Sequence, residues 1–166
     1  MTAQFRNRQG FSMLEVMVGC AVVGIVVAAA VPNLRSYRES HRIWSETQQI
    51  ASICKAAQAR ARSENHSIVV EYRPVSNEYV VIDDENNNLT ADAGETVTTH
   101  PIRDGLTLAS TTFTNDQLVF DSRGRATSGG TILVQGAQYG IEPKRVLIAA
   151  GTGHVRIRAG YSDPTP

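Results

Sequence analysis

Cysteine is scarce in this 166-residue sequence, which contains only Cys20 and Cys54. Both cysteines fall in a stretch that we interpret below as one continuous helix. At about 1.5 Å of rise per residue, their Cα atoms would be about 50 Å apart, far beyond the roughly 4.4–6.8 Å that a disulfide spans. An intrachain disulfide is therefore excluded in this interpretation, and the fold does not depend on one.

The sequence also lacks an excess of either charge, because 16 lysine and arginine residues balance 16 aspartate and glutamate residues. A neutral chain is not attracted to nucleic acid as a whole, so any such binding must come from a local basic cluster. Loss of the first ten residues would remove Arg6 and Arg8 and leave the chain slightly acidic.

Motifs that carry catalysis or bind metal ions are missing as well. The serines, histidines and aspartates do not have the spacing of a nucleophile elbow or a protease triad, and neither Cys-x-x-Cys nor His-x-x-x-His occurs. We therefore predict no enzymatic activity, no cofactor and no metal site. The segment 83–88 offers oxygen atoms that could ligate calcium, but it lacks the glycine and the terminal glutamate of an EF-hand. We interpret it as a solvated loop.

The sequence does contain one long apolar run near its start. Every residue from Phe11 to Val31 is apolar or small except Ser12 and Glu15. As a helix this run would be about 31 Å long, close to the roughly 30 Å core of a bilayer. A carboxylate in such a segment costs on the order of 2.5–3.5 kcal/mol at the membrane centre, so Glu15 needs a partner. Cleavage between Gly10 and Phe11 would create a free amino group four residues before it.

The segment from Gly10 to Val16, Gly-Phe-Ser-Met-Leu-Glu-Val, resembles the processing site of type IV prepilins and type II secretion pseudopilins. The resemblance implies that a prepilin peptidase cuts between Gly10 and Phe11, that Phe11 is N-methylated and that Glu15 acts in filament assembly. It also implies that the N-terminal helix contacts other pilins or pseudopilins. The chain would be a single-pass inner-membrane protein with a periplasmic globular domain, and would end up in a pilus or pseudopilus.

Two simpler interpretations of the same run remain open. A secretory signal peptide would also have basic residues before an apolar segment, with a small-residue cleavage site at Ala28–Ala30. A plain membrane anchor would need only the apolar length. Glu15 argues against the signal peptide because a charge inside the apolar region weakens it, and the Gly-Phe pair has no role there. We therefore favour the prepilin interpretation.

Beyond Pro32 the helical pattern becomes amphipathic and continues to about residue 64. Residues at helical spacing predict one buried face, formed by Ile43, Thr47, Ile50, Cys54, Ala57 and Ala61. The opposite, solvent-facing side is predicted to carry Glu39, Glu46, Gln48, Gln49, Arg60 and Arg62.

Short strands separated by turn residues account for most of the remainder. We predict strands at residues 67–73, 78–82, 95–99, 106–109, 117–121, 131–135, 145–149 and 154–158. The fold class is therefore α+β, with a long N-terminal helix packed on a β-rich C-terminal globular domain, as in the pilin fold. The predicted divisions are a cleaved leader at 1–10, a transmembrane and assembly half of the helix at 11–31, an amphipathic half at 32–65, the globular domain at 66–160 and a tail at 161–166.

Two short segments of the β-rich part, Leu118–Gly124 and Gly153–Ile157, resemble the minor pilin and pseudopilin H family, also called GspH/FimT. In the FimT branch, a Gly-Arg-x-Arg motif at the second segment is associated with DNA binding during uptake. His154 stands at the first arginine of that motif and Arg156 at the second, with Arg158 following.

Strand alternation places His154, Arg156 and Arg158 on one face, and a tight turn at 151–152 would bring Arg158 opposite Arg145. We therefore predict an exposed basic patch formed by Arg145, His154, Arg156 and Arg158. Because like charges opposite one another cost stability, a ligand such as DNA could be bound there. A solvated strand face is the alternative, and we favour it.

Together these patterns predict a structural minor type IV pilin-like subunit, processed by prepilin peptidase and placed in a tip or initiation complex. Two other functions stay open at this point. The chain could be a DNA-binding minor pilin for natural transformation, or a minor pseudopilin of a type II secretion system.

Overall fold

The computed structural model describes residues 11–136 and 141–160, and only the backbone of residues 29–35. The predicted leader at 1–10 and the predicted tail at 161–166 lie outside the described residues. The chain contains one long helix, α1 at Met13–Glu64, a 3₁₀ turn at Thr114–Asp116 and eight described strands. The strands are β1 at Ser67–Arg73, β2 at Glu78–Asp84, β3 at Val97–Pro101, β4 at Leu106–Thr111, β5 at Gln117–Phe120, β6 at Gly130–Gly136, β7 at Lys144–Ile148 and β8 at Val155–Ala159.

Two compact units divide the chain, with the boundary between Tyr37 and Arg38. The described part of the first unit is the N-terminal portion of α1. The second unit contains the rest of α1 and all eight described strands. The helix ends at Glu64 because Asn65 takes a left-handed conformation with φ of 59°, as is common just after a helix.

Within the second unit, α1 buries the predicted face. Ile43, Thr47, Ile50, Cys54, Ala57 and Ala61 are each at most 2% exposed. The prediction that Glu46 faces solvent is wrong, because this residue is only 1% exposed. Its position three residues after Ile43 and four before Ile50 puts it on the same helical stripe, and Arg103 of the β3–β4 loop lies 3.8 Å from its carboxylate.

The first sheet has the strand order β3-β2-β1-β5, and all its pairs are antiparallel. The predicted β1 is confirmed, but β2 is two residues longer than predicted because Asp83 and Asp84 pair with Ile68 and Ser67. Strand β3 begins two residues later than predicted and includes Pro101, which is tolerated because β3 is an edge strand.

The second sheet has the order β4-β6-β7-β8 and is also antiparallel. Its four strands fall where the sequence predicted them, with ends shifted by one or two residues. A register shift between Leu108 and Ser110 marks a bulge in β4. The main core contains α1 side chains together with residues of both sheets, among them Tyr72, Phe120, Ile132 and Val146.

The interpretation of residues 83–88 as a solvated loop is wrong for its first two residues. Asp83 and Asp84 are 5% and 0% exposed. The carboxylate of Asp84 accepts hydrogen bonds from the backbone N–H groups of Asn88 and Leu89, and the guanidinium of Arg60 pairs with Asp83. These partners offset the cost of burying the two charges. The residues from Glu85 to Asn88 are exposed as expected.

Candidate functional site

The N-terminal segment presents the residues of the predicted processing site at the start of α1. Phe11 is 81% exposed, the helix begins at Met13, and Glu15 lies in its first turn. The Ser12 carbonyl accepts the hydrogen bond of the Val16 N–H at 3.2 Å. A carboxylate in the first turn interacts favourably with the positive end of the helix dipole. Gly10, on the other side of the predicted cleavage site, lies outside the described residues.

The apolar side chains that follow are exposed all around the helix. Large examples that are more than half exposed are Phe11, Met13, Leu14, Val16, Met17, Val18, Val22, Val23, Ile25, Val26 and Val27. Among the residues that the structure describes, no helix combines the length and apolarity needed to cross a membrane. The predicted span includes residues 29–31, whose side chains are outside the described set.

The β7–β8 hairpin carries the predicted basic patch. The predicted pairing of Arg145 with Arg158 is confirmed. The predicted two-residue turn is wrong, because strand pairing ends at Ile148 and Val155. The connection is instead closed by hydrogen bonds between the backbone groups of Ala149 and its partners His154 and Gly153. The strand register is still the predicted one, because both connections place the centre of the hairpin between Gly151 and Thr152.

Three of the four predicted patch residues are exposed, and one is not. His154, Arg156 and Arg158 are exposed, whereas Arg145 is only 7% exposed. The physical reason is position in the sheet: β7 is flanked by β6 and β8, with Leu133 and Arg158 on either side of Arg145. Strand β8 is an edge strand, so its outward side chains stay open to solvent.

A shallow groove lies beside these exposed side chains. It has a volume of about 540 Å³ and is lined by residues of β6, β7 and β8 that include Thr131, Leu147, Arg156 and Arg158. Most of its lining is apolar, and Arg156, Arg158 and His154 contribute to that lining. The arrangement provides cationic groups on an open surface.

Gln58, which no sequence pattern indicated, links the turn after β5 to the β7–β8 connection. The side-chain amide of Gln58 on α1 donates hydrogen bonds to the carbonyl oxygens of Gly124 and Thr152, at 2.7 and 2.9 Å. The turn after β5 is closed by Asp121, whose carboxylate accepts hydrogen bonds from the backbone N–H groups of Arg123 and Arg125. These bonds, led by the Arg125 N–H, lower the pKa of Asp121. The short segments thus have a structural role against the helix.

Comparison with known families agrees with this architecture. Residues 46–153 match the family described as type II transport protein GspH, and residues 5–31 match the prokaryotic N-terminal methylation motif. No protein with a curated function is significantly similar to the chain in sequence.

Solved structures that share the fold include those of two minor subunits. The minor pseudopilin EpsH from the type 2 secretion system of Vibrio cholerae is 16% identical, with a TM-score of 0.54 over 68% of this chain and 93% of that one. The type IV minor pilin FimU of Pseudomonas aeruginosa is 14% identical, with a TM-score of 0.60 over 76% of this chain and 98% of that one.

The fold and the N-terminal motif are those of a minor pilin or pseudopilin of a type IV pilus or type II secretion system. Because the family match covers more than half of the chain, the chain belongs to the GspH family.

Proposed function

We propose that this chain is a structural minor subunit that prepilin peptidase cuts between Gly10 and Phe11 and that then joins a pilus or pseudopilus through its N-terminal helix. The observation that carries the proposal is the continuous exposed apolar surface of that helix, interrupted by the single carboxylate of Glu15. Such a surface needs a cover of lipid or neighbouring helices.

Glu15 supplies the chemical specificity of this packing. Among apolar helices its carboxylate needs a cationic partner, since an unpaired buried charge is costly. Processing creates a cation at the amino group of Phe11. We propose that Glu15 of the incoming subunit pairs with the Phe11 amino group of a subunit already in the filament, which ties assembly to processing.

Before assembly, the proposed location is the inner membrane, with the second unit in the periplasm. The apolar side chains between Phe11 and Val27 would face lipid and later exchange lipid for other helices. We place the subunit in a tip or initiation complex. The similar solved structures are of minor subunits, and a minor subunit suits a position that occurs once per filament.

Variants of the two polar residues in the apolar run test the proposal. Glu15→Ala should leave membrane levels unchanged or higher, because a costly charge is removed. Its recovery in sheared filaments should fall tenfold or more, which requires loss of only about 1.4 kcal/mol of pairing energy. Ser12→Ala is the matched control and should assemble normally. Immunoblots of membranes and filaments measure both quantities, and normal assembly of Glu15→Ala would contradict the proposal.

A second candidate function, DNA binding during uptake, is favoured by the open basic face of β8. In the described ranges 11–136 and 141–160, neither Arg156 nor Arg158 has a carboxylate within ion-pairing distance. Their guanidinium groups could therefore contact phosphates without first breaking an ion pair. The burial of Arg145 reduces the predicted patch to His154, Arg156 and Arg158.

A further inference from the structure

Three side chains of kinds that ligate metal ions lie close together where α1 is followed by the first sheet. Glu64 is the last residue of α1, His66 lies between the helix and β1, and Asp83 is in β2 opposite Ile68. One carboxylate oxygen each of Glu64 and Asp83 and one imidazole nitrogen of His66 all lie within 4.8 Å of one another. Helix end, linker and strand thus direct three different ligands to one point.

Two polar atoms of these three residues are buried without a hydrogen bond. Asp83 Oδ1 and His66 Nε2 are both inaccessible to solvent, and neither has a hydrogen-bond partner within the part of the chain that the structure describes. His66 Nε2 lies 3.5 Å from Glu64 Oε2. Buried polar atoms are normally satisfied, so two unsatisfied atoms among the residues of one cluster indicate a missing ligand.

The neighbouring Arg60 contacts both carboxylates. Its guanidinium pairs with Asp83 Oδ2 and with Glu64 Oε1, and it reaches Glu64 Oε2 only at 3.4 Å. Apart from the imidazole, the two carboxylates and one guanidinium carry one net negative charge. The charge balance therefore still favours a cation, although Arg60 lowers its affinity.

We propose that Glu64, His66 and Asp83 form a binding site for one divalent transition-metal ion of the zinc type. One imidazole nitrogen and two carboxylate oxygens are a ligand set that such ions accept, whereas calcium requires six to eight oxygen atoms. Metal–ligand bonds of about 2.0–2.2 Å would require the three side chains to close by about an ångström. Glu64 is exposed, so its side chain can shift toward the other two at the expense of its pairing with Arg60. Water would fill the remaining coordination positions.

The site would be structural and would lie in the second unit. It would connect the C-terminal end of α1 to β2, next to residues 65–66, which join α1 to β1. A metal that binds the folded state alone stabilises it by mass action. The inference does not depend on the proposed role in a filament, because metal binding by the isolated subunit can fail or succeed independently of assembly.

Metal binding by the full-length chain in detergent tests the proposal. The protein is prepared without a histidine tag, stripped with EDTA and titrated with zinc chloride by calorimetry, and its melting temperature is followed in parallel. We expect one zinc equivalent, a rise in melting temperature, and no comparable effect of calcium chloride. His66→Gln should weaken zinc binding at least about tenfold, since even groups behind the ligands commonly contribute 10–100-fold.

His154→Gln is the matched control, because it removes an exposed imidazole from the connection between β7 and β8, and it should bind zinc like the wild type. Asp83→Asn should also fail to bind the one equivalent of zinc. If that variant does not fold by circular dichroism, the comparison of His66→Gln with His154→Gln decides alone. Absence of zinc binding by the wild type, or equal binding by His66→Gln and the wild type, would overturn the proposal.

Discussion

Gln58 donates a hydrogen bond from its side-chain amide to the carbonyl oxygen of Gly124, at 2.7 Å, across 66 positions of the sequence. The same nitrogen also reaches the Thr152 carbonyl at 2.9 Å, so one helical side chain holds the turn after β5 and the β7–β8 connection together. Gly153 makes room for it, because any Cβ at that position would collide with the Gln58 amide.

Replacing Gln58 with alanine should therefore destabilise the second unit. The buried Gly124 carbonyl would keep only the longer bond from Arg62, at 3.5 Å, whereas the exposed Thr152 carbonyl would turn to water. Weakening the hydrogen bond of a buried polar group costs up to about 1–3 kcal/mol. Urea unfolding of the chain without residues 1–38, followed by circular dichroism, measures the change. Gln48→Ala, an exposed position on the same helix, should change the free energy of unfolding by no more than about 0.5 kcal/mol. Equal stability of the two variants would contradict this role.

The buried carboxyl group of Glu46 should make stability depend on pH. Burial raises its pKa in the folded chain, and the nearby Arg103 only partly opposes that shift. A raised pKa means that the native state holds this proton more tightly than the unfolded state does. Its favourable contribution is complete below the unfolded pKa, about 4.5, and is lost as pH rises through the folded pKa.

Glu46→Gln keeps the shape of the side chain without the charge, so it should be more stable than the wild type at pH 7 and similar to it at pH 4. Urea titrations at both pH values measure the difference, in which the other titrating groups largely cancel. Arg103→Gln should destabilise the wild type at pH 7 but have little effect in the Glu46→Gln background. A constant difference between Glu46→Gln and the wild type across this range would show that the carboxyl group does not titrate as argued.

The DNA-binding candidate predicts a weak, salt-sensitive interaction that does not depend on base sequence. Arg156 and Arg158 would contact phosphates, and each phosphate contact releases counterions. Arg156→Ala and Arg158→Ala should each lower the affinity for duplex DNA and reduce the salt slope by about one. Arg123→Ala removes an exposed arginine from another turn and serves as the control. If all three variants titrate like the wild type at low salt, the β8 face is only solvated.

The strands were predictable because their alternation is strong and their turns are marked. Strand β1 was predicted to the residue, and the ends of the others were off by one or two positions. One of the two-residue extensions, Asp83 and Asp84 in β2, has a specific cause. Aspartate is depleted in strands, and these two are held there by Arg60 and by loop N–H groups that only the folded chain brings near.

The candidate sites were predictable where the signal is local along the chain. The methylation motif and Glu15 can be identified from consecutive residues, and the family match supports the motif. The burial of Arg145 depended on strand order, which alternation within one strand does not reveal. Glu46 could have been identified from its spacing to Ile43 and Ile50, but its partner Arg103 is 57 positions away. Glu64, His66 and Asp83 match no spacing motif at all.

The N-terminus of the mature protein decides whether the chain is processed as a prepilin. The protein purified from membranes of its natural host should begin at Phe11 and carry one extra methyl group on its amino nitrogen, as mass spectrometry of the N-terminal peptide would show. A Gly10→Val variant should keep the uncut leader, since the valine side chain replaces the glycine at the cleavage site. A mature terminus at Val31 would identify the run as a signal peptide, and an unprocessed wild-type chain would identify it as a plain anchor. Either result would contradict cleavage between Gly10 and Phe11.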